Sequence, residues 1–270
     1  DRWRSHLLQT LSGTDDGSPQ WVRELALGDD EGFFGPGSAS WAVHGGMATM
    51  VAGIRALLVQ ALHPGAMAGV HDWSRYREDP LGRLTGTIRW LITVTFGDRA
   101  TAERSSAMVR ALHTRVQGEY VDAFGVTRAY RAGDADLIEW VHLAFTESFL
   151  TCHQIWEAEI PGGADAYVRE WATAGELVGL TGAPTTEADL RARLRAAADA
   201  GLLKSDERVR DVVRFIRRPP LAKGMLPGYR VMFAGAVASL DPLHRRMLGL
   251  SRPPWGAVPA TGAVLRTARS

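Results

Sequence analysis

The stretch that decides the fold class is SWAVHGGMATMVAGIRALLVQALHPG, residues 40–65. Its apolar side chains recur at steps of three and four residues, which places them on one face of an α-helix. This set comprises Val43, Met47, Met50, Val51, Ile54, Leu58 and Leu62. The pattern predicts a helix from about Ser40 to Leu62, which Pro64 and Gly65 then end or kink.

The most apolar part of the chain, residues 41–70, is interrupted by polar side chains such as His44, Arg55 and His63. Its uninterrupted apolar windows are shorter than the span of about 20 residues that a membrane helix needs. We therefore expect a buried core helix and no membrane span.

The same helical period continues downstream, whereas strand alternation is nearly absent. It predicts helices over 83–96, from Asp98 or Thr101 to Gly118, from Asp134 or Asp136 to about Trp156, from Thr186 to about Gly201, from Ser205 to Pro219, over 228–240 and over 242–250. Residues 251–270 are rich in Pro, Gly and small side chains and are expected to wrap loosely. The prediction is one all-α domain over 1–270, with a core at about 40–250 and a tail at 251–270.

The composition excludes several classes of protein. Hydrophobic residues make up 46% and charged residues 23% of the chain, which is typical of a globular protein and not of a disordered one. The formal net charge is +1, so no bulk charge favours nucleic acid as a partner. Cys152 is the single cysteine, which excludes an intramolecular disulfide and a cysteine-rich metal site. We expect a cytoplasmic location, and a chain that begins with Asp1 is also compatible with a trimmed leader.

Common catalytic signatures are missing. The histidines lack the four-residue spacing of a zinc-protease helix, and there is no Gly-x-Ser-x-Gly elbow or phosphate-binding glycine loop. His142 and His153 share a helix face but lie about 16 Å apart along the axis, which is too far to hold one ion. The pattern favours neither a hydrolase nor a nucleotide enzyme, and it gives no histidine–carboxylate set for non-heme iron.

His113 is the candidate metal ligand, because it falls on a stripe with Ser106, Val109 and Val116. Two interpretations remain open. A core histidine can be satisfied by a backbone carbonyl. A neutral imidazole set in an apolar wall is also what a heme iron needs on its proximal side.

Three blocks carry a family resemblance: LLVQALHPGAMAGVHDWSRYREDPLGRLTGT at 57–87, MVRALHTRVQG at 108–118 and AGDADLIEWVHLAFTESFL at 132–150. In this order they resemble the DUF2236 family of MpaB-type oxygenases and latex-clearing rubber oxygenases. The resemblance implies a globin-like, all-α helical bundle that encloses a pocket for heme b and its iron.

The resemblance also implies roles for individual residues. His113 matches the histidine that serves as axial iron ligand. Arg83 and Thr87 match an Arg-x-x-Lys-Thr element on the other side of the heme, and here they are the candidate catalytic residues. Gly86 replaces the lysine of that element, which leaves the distal side open or filled by another side chain.

Further candidates for heme binding are weighed against structural roles. His63 could line the pocket or bind a heme propionate, or it could cap the C-terminus of its helix. Arg75, Arg77 and Arg83 could pair with propionates or be ordinary surface charges. Trp90 could line the substrate pocket or belong to the core, and His142 is more typical of a core histidine than of an orienting group.

The leading hypothesis is a heme b-dependent oxygenase that acts on a small apolar or aromatic substrate with dioxygen as its other partner. A second copy of the chain, in a homodimer, is a candidate partner as well. The alternatives are a cofactor-free helical binder of an apolar ligand and a heme carrier or sensor without turnover.

Overall fold

The computed structural model describes residues 20–25, 27–73 and 80–269, with the backbone alone at 24, 71–73 and 80–85. These residues form thirteen α-helices, one 3-10 helix and one β-hairpin, so the predicted mainly α-helical class is confirmed. In chain order the elements are α1 Gln20–Leu25, α2 Ala39–Gly45, α3 Thr49–Gln60, α4 Pro64–Trp73, α5 Pro80–Phe96, α6 Arg99–His113, β1 Gln117–Val121, β2 Thr127–Arg131, α7 Ala135–Trp156, α8 Gly163–Leu177, α9 Glu187–Asp199, α10 Glu207–Arg217, the 3-10 helix Lys223–Met225, α11 Leu226–Ser239, α12 Pro242–Met247 and α13 Ala257–Arg269.

Helices α3 and α7 form the antiparallel pair at the centre of the bundle. Trp140 Nε1 donates to the Gln60 carbonyl at 3.1 Å near one end of the pair. Arg55 Nη2 donates to Glu147 Oε1 at 2.9 Å further along, so residue numbers rise in α3 as they fall in α7. Most side chains of both helices are buried, which makes this pair the core onto which the other helices pack.

The prediction of one helix from Ser40 to Leu62 is wrong, because α2 and α3 meet at a bend of 92°. Gly46 is extended at the bend (φ −78°, ψ 155°), and the Ala48 N–H donates to Glu157 Oε1 at 3.0 Å. A Cβ on Gly46 would lie 3.1 Å from that carboxylate, so glycine leaves room for this contact. No single helix in the described ranges is long and apolar enough to cross a membrane, and the bent pair α2–α3 passes only when joined.

Helices α5 and α6 form a second antiparallel pair, in which Trp90 Nε1 donates to Ser106 Oγ at 3.1 Å. Asp98 caps α6 as predicted, because its Oδ1 accepts a backbone N–H of the first turn at 2.6 Å. The predicted end of this helix at Gly118 is wrong. The helix ends at His113, and Gly118 lies in strand β1.

The β-hairpin that follows α6 packs on α4 and was not predicted. Its two strands are antiparallel, with Gly118 opposite Tyr130. A Cβ on Gly65 of α4 would lie 3.0 Å from the Tyr120 ring, and one on Gly69 would lie 3.6 Å from the Tyr130 ring. The two glycines therefore let the tyrosines of the hairpin approach the helix closely.

The expected loose tail after residue 250 is also wrong, since residues 257–269 form α13. Thr261 Oγ1 donates to the Val231 carbonyl of α11 at 3.0 Å. A Cβ on Gly235 would come within 2.4 Å of that hydroxyl oxygen, so only a glycine admits the threonine here. The small residues that resemble a loop in the sequence instead allow close helix packing.

Candidate functional site

The central helix α3 has one face that is not fully buried. Met50, Gly53 and Leu57, spaced three and four residues apart, are half-buried, whereas most of their neighbours are buried. A Cβ on Gly53 would meet no atom within 4 Å among the described residues. The described residues therefore leave the middle of this helix uncovered on one face.

Its partner α7 has a matching half-buried face. Val141 and Phe145, one turn apart, are half-buried within a segment, 140–150, whose other residues are all buried. These two side chains are apolar, so the exposed fraction of this face is apolar as well.

The two half-buried faces lie on the same side of the α3–α7 pair. An antiparallel pair has a local two-fold axis, so equal steps in the same chain direction from a contact lead to the same side. Arg55 contacts Glu147, and Leu57 and Phe149 lie two residues after them. Phe149 stacks on Phe145, one turn earlier, so Phe145 lies on this side as well. Two residues turn a helix by about 200°, which places this side away from the ion pair.

We call this half-buried side the central cleft and define it by five residues. They are Met50, Gly53 and Leu57 of α3 and Val141 and Phe145 of α7. A cleft with this lining offers dispersion contacts and no charge, which suits a small apolar molecule.

His113 is half-buried at the C-terminal end of α6. It follows Ser106 by seven residues, about two helical turns, and therefore shares the face that contacts Trp90. Arg83 precedes Trp90 by seven residues, so its backbone lies at the level of His113. A Cβ on Gly133 would lie 3.9 Å from the His113 Cβ, so the start of α7 adjoins this end of the pair.

Of the other candidates near α5, the structure describes the side chains of some and not of others. Thr87 is half-buried on α5, and Trp90 gives its N–H to α6. Gly86 is exposed, and a Cβ there would meet no described atom within 4 Å. Arg75 and Arg77 lie outside the described residues, and at position 83 the backbone alone is described.

His63 caps the N-terminus of α4, not the C-terminus of α3 as one interpretation held. Its Nδ1 accepts the Ala66 N–H at 3.4 Å, and its ring packs against Trp140 with centroids 5.8 Å apart. Burial lowers the pKa of His63, against the opposing charge of Asp136. Nδ1 is therefore the acceptor nitrogen of a neutral ring.

The cap leads to a prediction for His63→Ala. Loss of the acceptor leaves a backbone N–H unpaired, and the free energy of unfolding is expected to fall by about 1–2 kcal/mol in urea titrations. His63→Asn should keep more of the stability, because asparagine is a good N-cap residue. Equal losses in the two variants would show that the ring contributes packing and not the cap.

His142 is buried between α7 and α8. A Cβ on Gly175 would lie 3.0 Å from its Nδ1, so the ring occupies the space that the glycine leaves. Its Nε2 has no hydrogen-bond partner among the described residues. Burial, assisted by the charge of Arg193, lowers the pKa of His142 to about 4, so the ring is neutral at physiological pH. This placement is that of a core histidine.

The sequence pattern assigns no role to Glu147, yet its carboxylate is the centre of a buried polar network. It accepts hydrogen bonds from Arg55 and from Thr151, the latter at 2.9 Å, and Arg191 approaches it at 3.5 Å. Arg55 also donates to Ser148 Oγ at 2.8 Å. The sequence did contain a signal for this network. Arg55 and Glu147 carry opposite charges within helices that are predicted to be buried, and buried charges need partners.

Two surface cavities lie away from the central cleft, and His113 and His63 line neither. The first has a volume of about 200 Å³ and is lined by Pro64, Met67, Tyr120, Val121, Lys204, Asp206, Arg208 and Val209. The second has a volume of about 340 Å³ and is lined by Trp21, Leu25, Arg89, Thr93, Thr101, Arg104, Ser105 and Met108. Within the described ranges, no three His, Cys, Asp or Glu side chains come together in a way that could hold a metal ion.

A comparison with protein families gives one match. The family model described as ER-bound oxygenase mpaB/B'/Rubber oxygenase, catalytic domain, matches residues 41–269. Searches of curated proteins and of solved structures gave no match. The matched region contains the central cleft, the α5–α6 pair and α13, so it extends past the expected end of the core at about 250. The chain belongs to the family of mpaB-type and rubber oxygenase catalytic domains.

Proposed function

We propose that this protein is a heme b-dependent oxygenase in which His113 is the proximal iron ligand and a small apolar or aromatic molecule is the substrate. The observation that carries the proposal is the central cleft, whose five defining residues are uncharged and which no described atom fills at Gly53. Membership of an oxygenase family supports the reaction class. A globin-like arrangement around a heme pocket is part of the same proposal.

The available donor groups suit a heme better than a metal ion held by side chains alone. A heme iron needs a single imidazole from the protein, since the macrocycle supplies four nitrogens. His113 offers such a group where α5, α6 and the start of α7 meet. A non-heme centre needs about three side-chain ligands, and the described part of the chain offers no such cluster.

When bound, heme supplies the activation of dioxygen. The protein's part is to hold and orient the reactants. His113 would hold the cofactor, and the Arg83 guanidinium and the Thr87 hydroxyl would donate hydrogen bonds to oxygen atoms of the reactants. The apolar side chains of the central cleft exclude water and hold the substrate.

The remaining candidates have supporting roles in this proposal. Arg75 and Arg77 pair with the heme propionates, because guanidinium groups suit carboxylates. His63 can donate a hydrogen bond to a propionate only through Nε2–H, because its Nδ1 accepts the Ala66 N–H that caps α4. Trp90 contributes apolar surface beside Thr87. His142 acts through packing against α8.

The first test is the absorption spectrum of the protein expressed with heme supplied. We expect a Soret band that is lost or strongly shifted in His113→Ala. His142→Gln, the matched control, should keep the band, because its ring is enclosed by α8. Circular dichroism checks that each variant is folded.

Each alternative outcome has a clear meaning. Absence of heme uptake by the wild type would reject the oxygenase proposal and favour a cofactor-free binder of an apolar ligand, for which the central cleft is equally suited. A Soret band unchanged in His113→Ala would reject His113 as the ligand. Heme binding without substrate-dependent oxygen uptake would instead indicate a carrier or sensor.

A further inference from the structure

A buried tyrosine–histidine pair lies between α2 and α8, outside the site proposed above. Tyr167 is 0% and His44 is 6% exposed. The Tyr167 hydroxyl lies 3.2 Å from His44 Nε2. The function proposed above assigns a role to neither residue, so the pair needs its own explanation.

Hydrogen-bond accounting gives the direction of this contact. Burial, with a contribution from His153, lowers the pKa of His44 to about 3, so the ring is neutral and carries one N–H. His44 Nδ1 has no hydrogen-bond partner among the described residues. If Nε2 carried the proton, both the Nδ1 lone pair and the Tyr167 O–H would lack partners. With the proton on Nδ1, the Tyr167 hydroxyl donates to Nε2, and the Nδ1–H is the one group that lacks a described partner. This arrangement is therefore favoured.

Aromatic rings connect the pair with the central cleft. The His44 ring lies 4.8 Å from Phe149, and Phe149 stacks on Phe145, a cleft residue, with centroids 6.2 Å apart. Trp171 covers the other side, 4.0 Å from His44 and 6.4 Å from Tyr167 between ring centroids. The phenol is therefore shielded from water and joined to the cleft by consecutive ring contacts.

We propose that Tyr167 is a redox-active tyrosine whose phenolic proton moves to His44 Nε2 when a strong one-electron oxidant, such as a high-valent metal complex, removes one electron. The phenol O–H bond breaks and an N–H bond forms on the imidazole. The products are a neutral tyrosyl radical, an imidazolium and the oxidant reduced by one electron. A one-electron reductant reverses the step, and the proton returns to the phenol oxygen.

The burial of the pair explains why the electron and the proton leave together. Burial raises the pKa of Tyr167 well above its ordinary value, so the phenol does not lose its proton alone. An oxidised phenol that kept its proton would be a buried cation on the ring, which the apolar surroundings disfavour. An oxidised phenol is a far stronger acid than an imidazolium, so the proton moves to His44 at hydrogen-bond distance even though burial weakens this base.

The test uses the purified full chain and an external photogenerated oxidant, ruthenium(III) tris(bipyridine), so it does not depend on the heme proposal. We expect a long-lived tyrosyl radical in frozen-sample electron paramagnetic resonance, which Tyr167→Phe abolishes. Tyr229→Phe is the matched control, because the hydroxyl of the half-buried Tyr229 donates to the Ile216 carbonyl, which cannot take up a proton. That variant should keep the signal. A long-lived signal unchanged in Tyr167→Phe would overturn the proposal.

A second variant separates proton transfer from packing. His44→Gln retains a hydrogen-bond acceptor but cannot take up the proton. The rate of radical formation is expected to fall on the order of 10²-fold, the usual contribution of a positioned base. In deuterium oxide the wild-type rate should fall and the residual rate of the variant should not. An unchanged rate in a folded His44→Gln variant would show that His44 is not the proton acceptor.

Discussion

Replacing Glu147 with leucine is expected to lower the free energy of unfolding by about 3–5 kcal/mol, because it leaves the guanidinium of Arg55 buried without its counter-charge. The side chains of Arg55 and Glu147 are 2% and 8% exposed, so water cannot solvate the orphaned charge. A loss of this size corresponds to a fall in Tm of about 10 °C for a chain of this length. Chemical denaturation with circular dichroism measures it.

Two controls establish the cause. The double variant Arg55→Met/Glu147→Leu should recover most of the lost stability, because replacing both members of a buried pair by apolar groups is often neutral. Asp211→Asn breaks the pair of Asp211 with Arg214, whose side chains are 24% and 71% exposed, and should change stability by less than about 1 kcal/mol. A loss under about 1 kcal/mol in Glu147→Leu would contradict the prediction.

The same pair predicts a pH dependence. Burial alone would raise the pKa of Glu147, but the charge and hydrogen bonds of Arg55, with Thr151 and Arg191, outweigh it and hold the pKa below its ordinary value. A lowered carboxyl pKa stabilises the fold at pH values above the unfolded value of about 4.3, and that stability is lost as the pH falls through the folded pKa. The double variant should lack this acid-dependent component in titrations of unfolding free energy against pH.

Filling the central cleft with Gly53→Phe is expected to abolish binding of heme or of an apolar fluorescent probe while the chain stays folded. No described atom lies within 4 Å of the position that the new Cβ would take, so the described residues leave room for the start of a larger side chain. Affinity should fall by at least about tenfold, equivalent to about 1.4 kcal/mol. Spectroscopic titration of each ligand measures the change, and circular dichroism monitors folding.

Gly53→Ala is the graded control for this substitution. It adds one methyl group and should stabilise the helix by about 0.5–1 kcal/mol, with binding retained, because glycine is a poor helix former. Undiminished binding in Gly53→Phe would show that the cleft is not the ligand site. Unfolding of that variant would show that the space beside α3 cannot take an aromatic ring.

The sequence predicts those elements whose information is local. The bounds of α7 follow from its continuous apolar stripe. Of the two predicted starts, Asp134 and Asp136, the structure has Asp134 as the N-cap, and the helix ends at Trp156 as predicted. Thr186 accepts the Asp189 N–H at 3.2 Å, as its position before an acidic first turn predicts. Such caps depend on contacts within a few residues, which a pattern can express.

Elements fixed by distant contacts could not be predicted in this way. The apolar stripe of 40–62 runs without a change of period through the bend at Gly46, and it is Glu157 that binds the chain there. Thr261 similarly makes α13 possible through Gly235, 26 residues earlier. Local composition predicts the wrong structure at the Gly46 bend and at α13, because each depends on a contact with a residue distant in the sequence.

The candidate site likewise has features that the sequence predicts and features that depend on distant contacts. The family resemblance predicts that Arg83 and His113 serve one heme from opposite sides, and the antiparallel α5–α6 pair brings both backbone positions to one level. The open side of α3 could not be predicted. The sequence around Gly53 would be the same whether or not another part of the chain packed against this face of the helix. Glu147 finds its partner 92 residues away, beyond the reach of any periodic pattern.

The two sides of the α3–α7 pair have different consequences for how such a protein evolves. The ion pair binds the helices together on one side, whereas the side chains of the cleft side pack against the core but are only half-buried. Exchanges among Met, Leu, Val and Phe on the cleft side alter the shape of the space at little cost in stability. A lineage with this bundle is therefore free to change the molecules it admits while its framework stays the same.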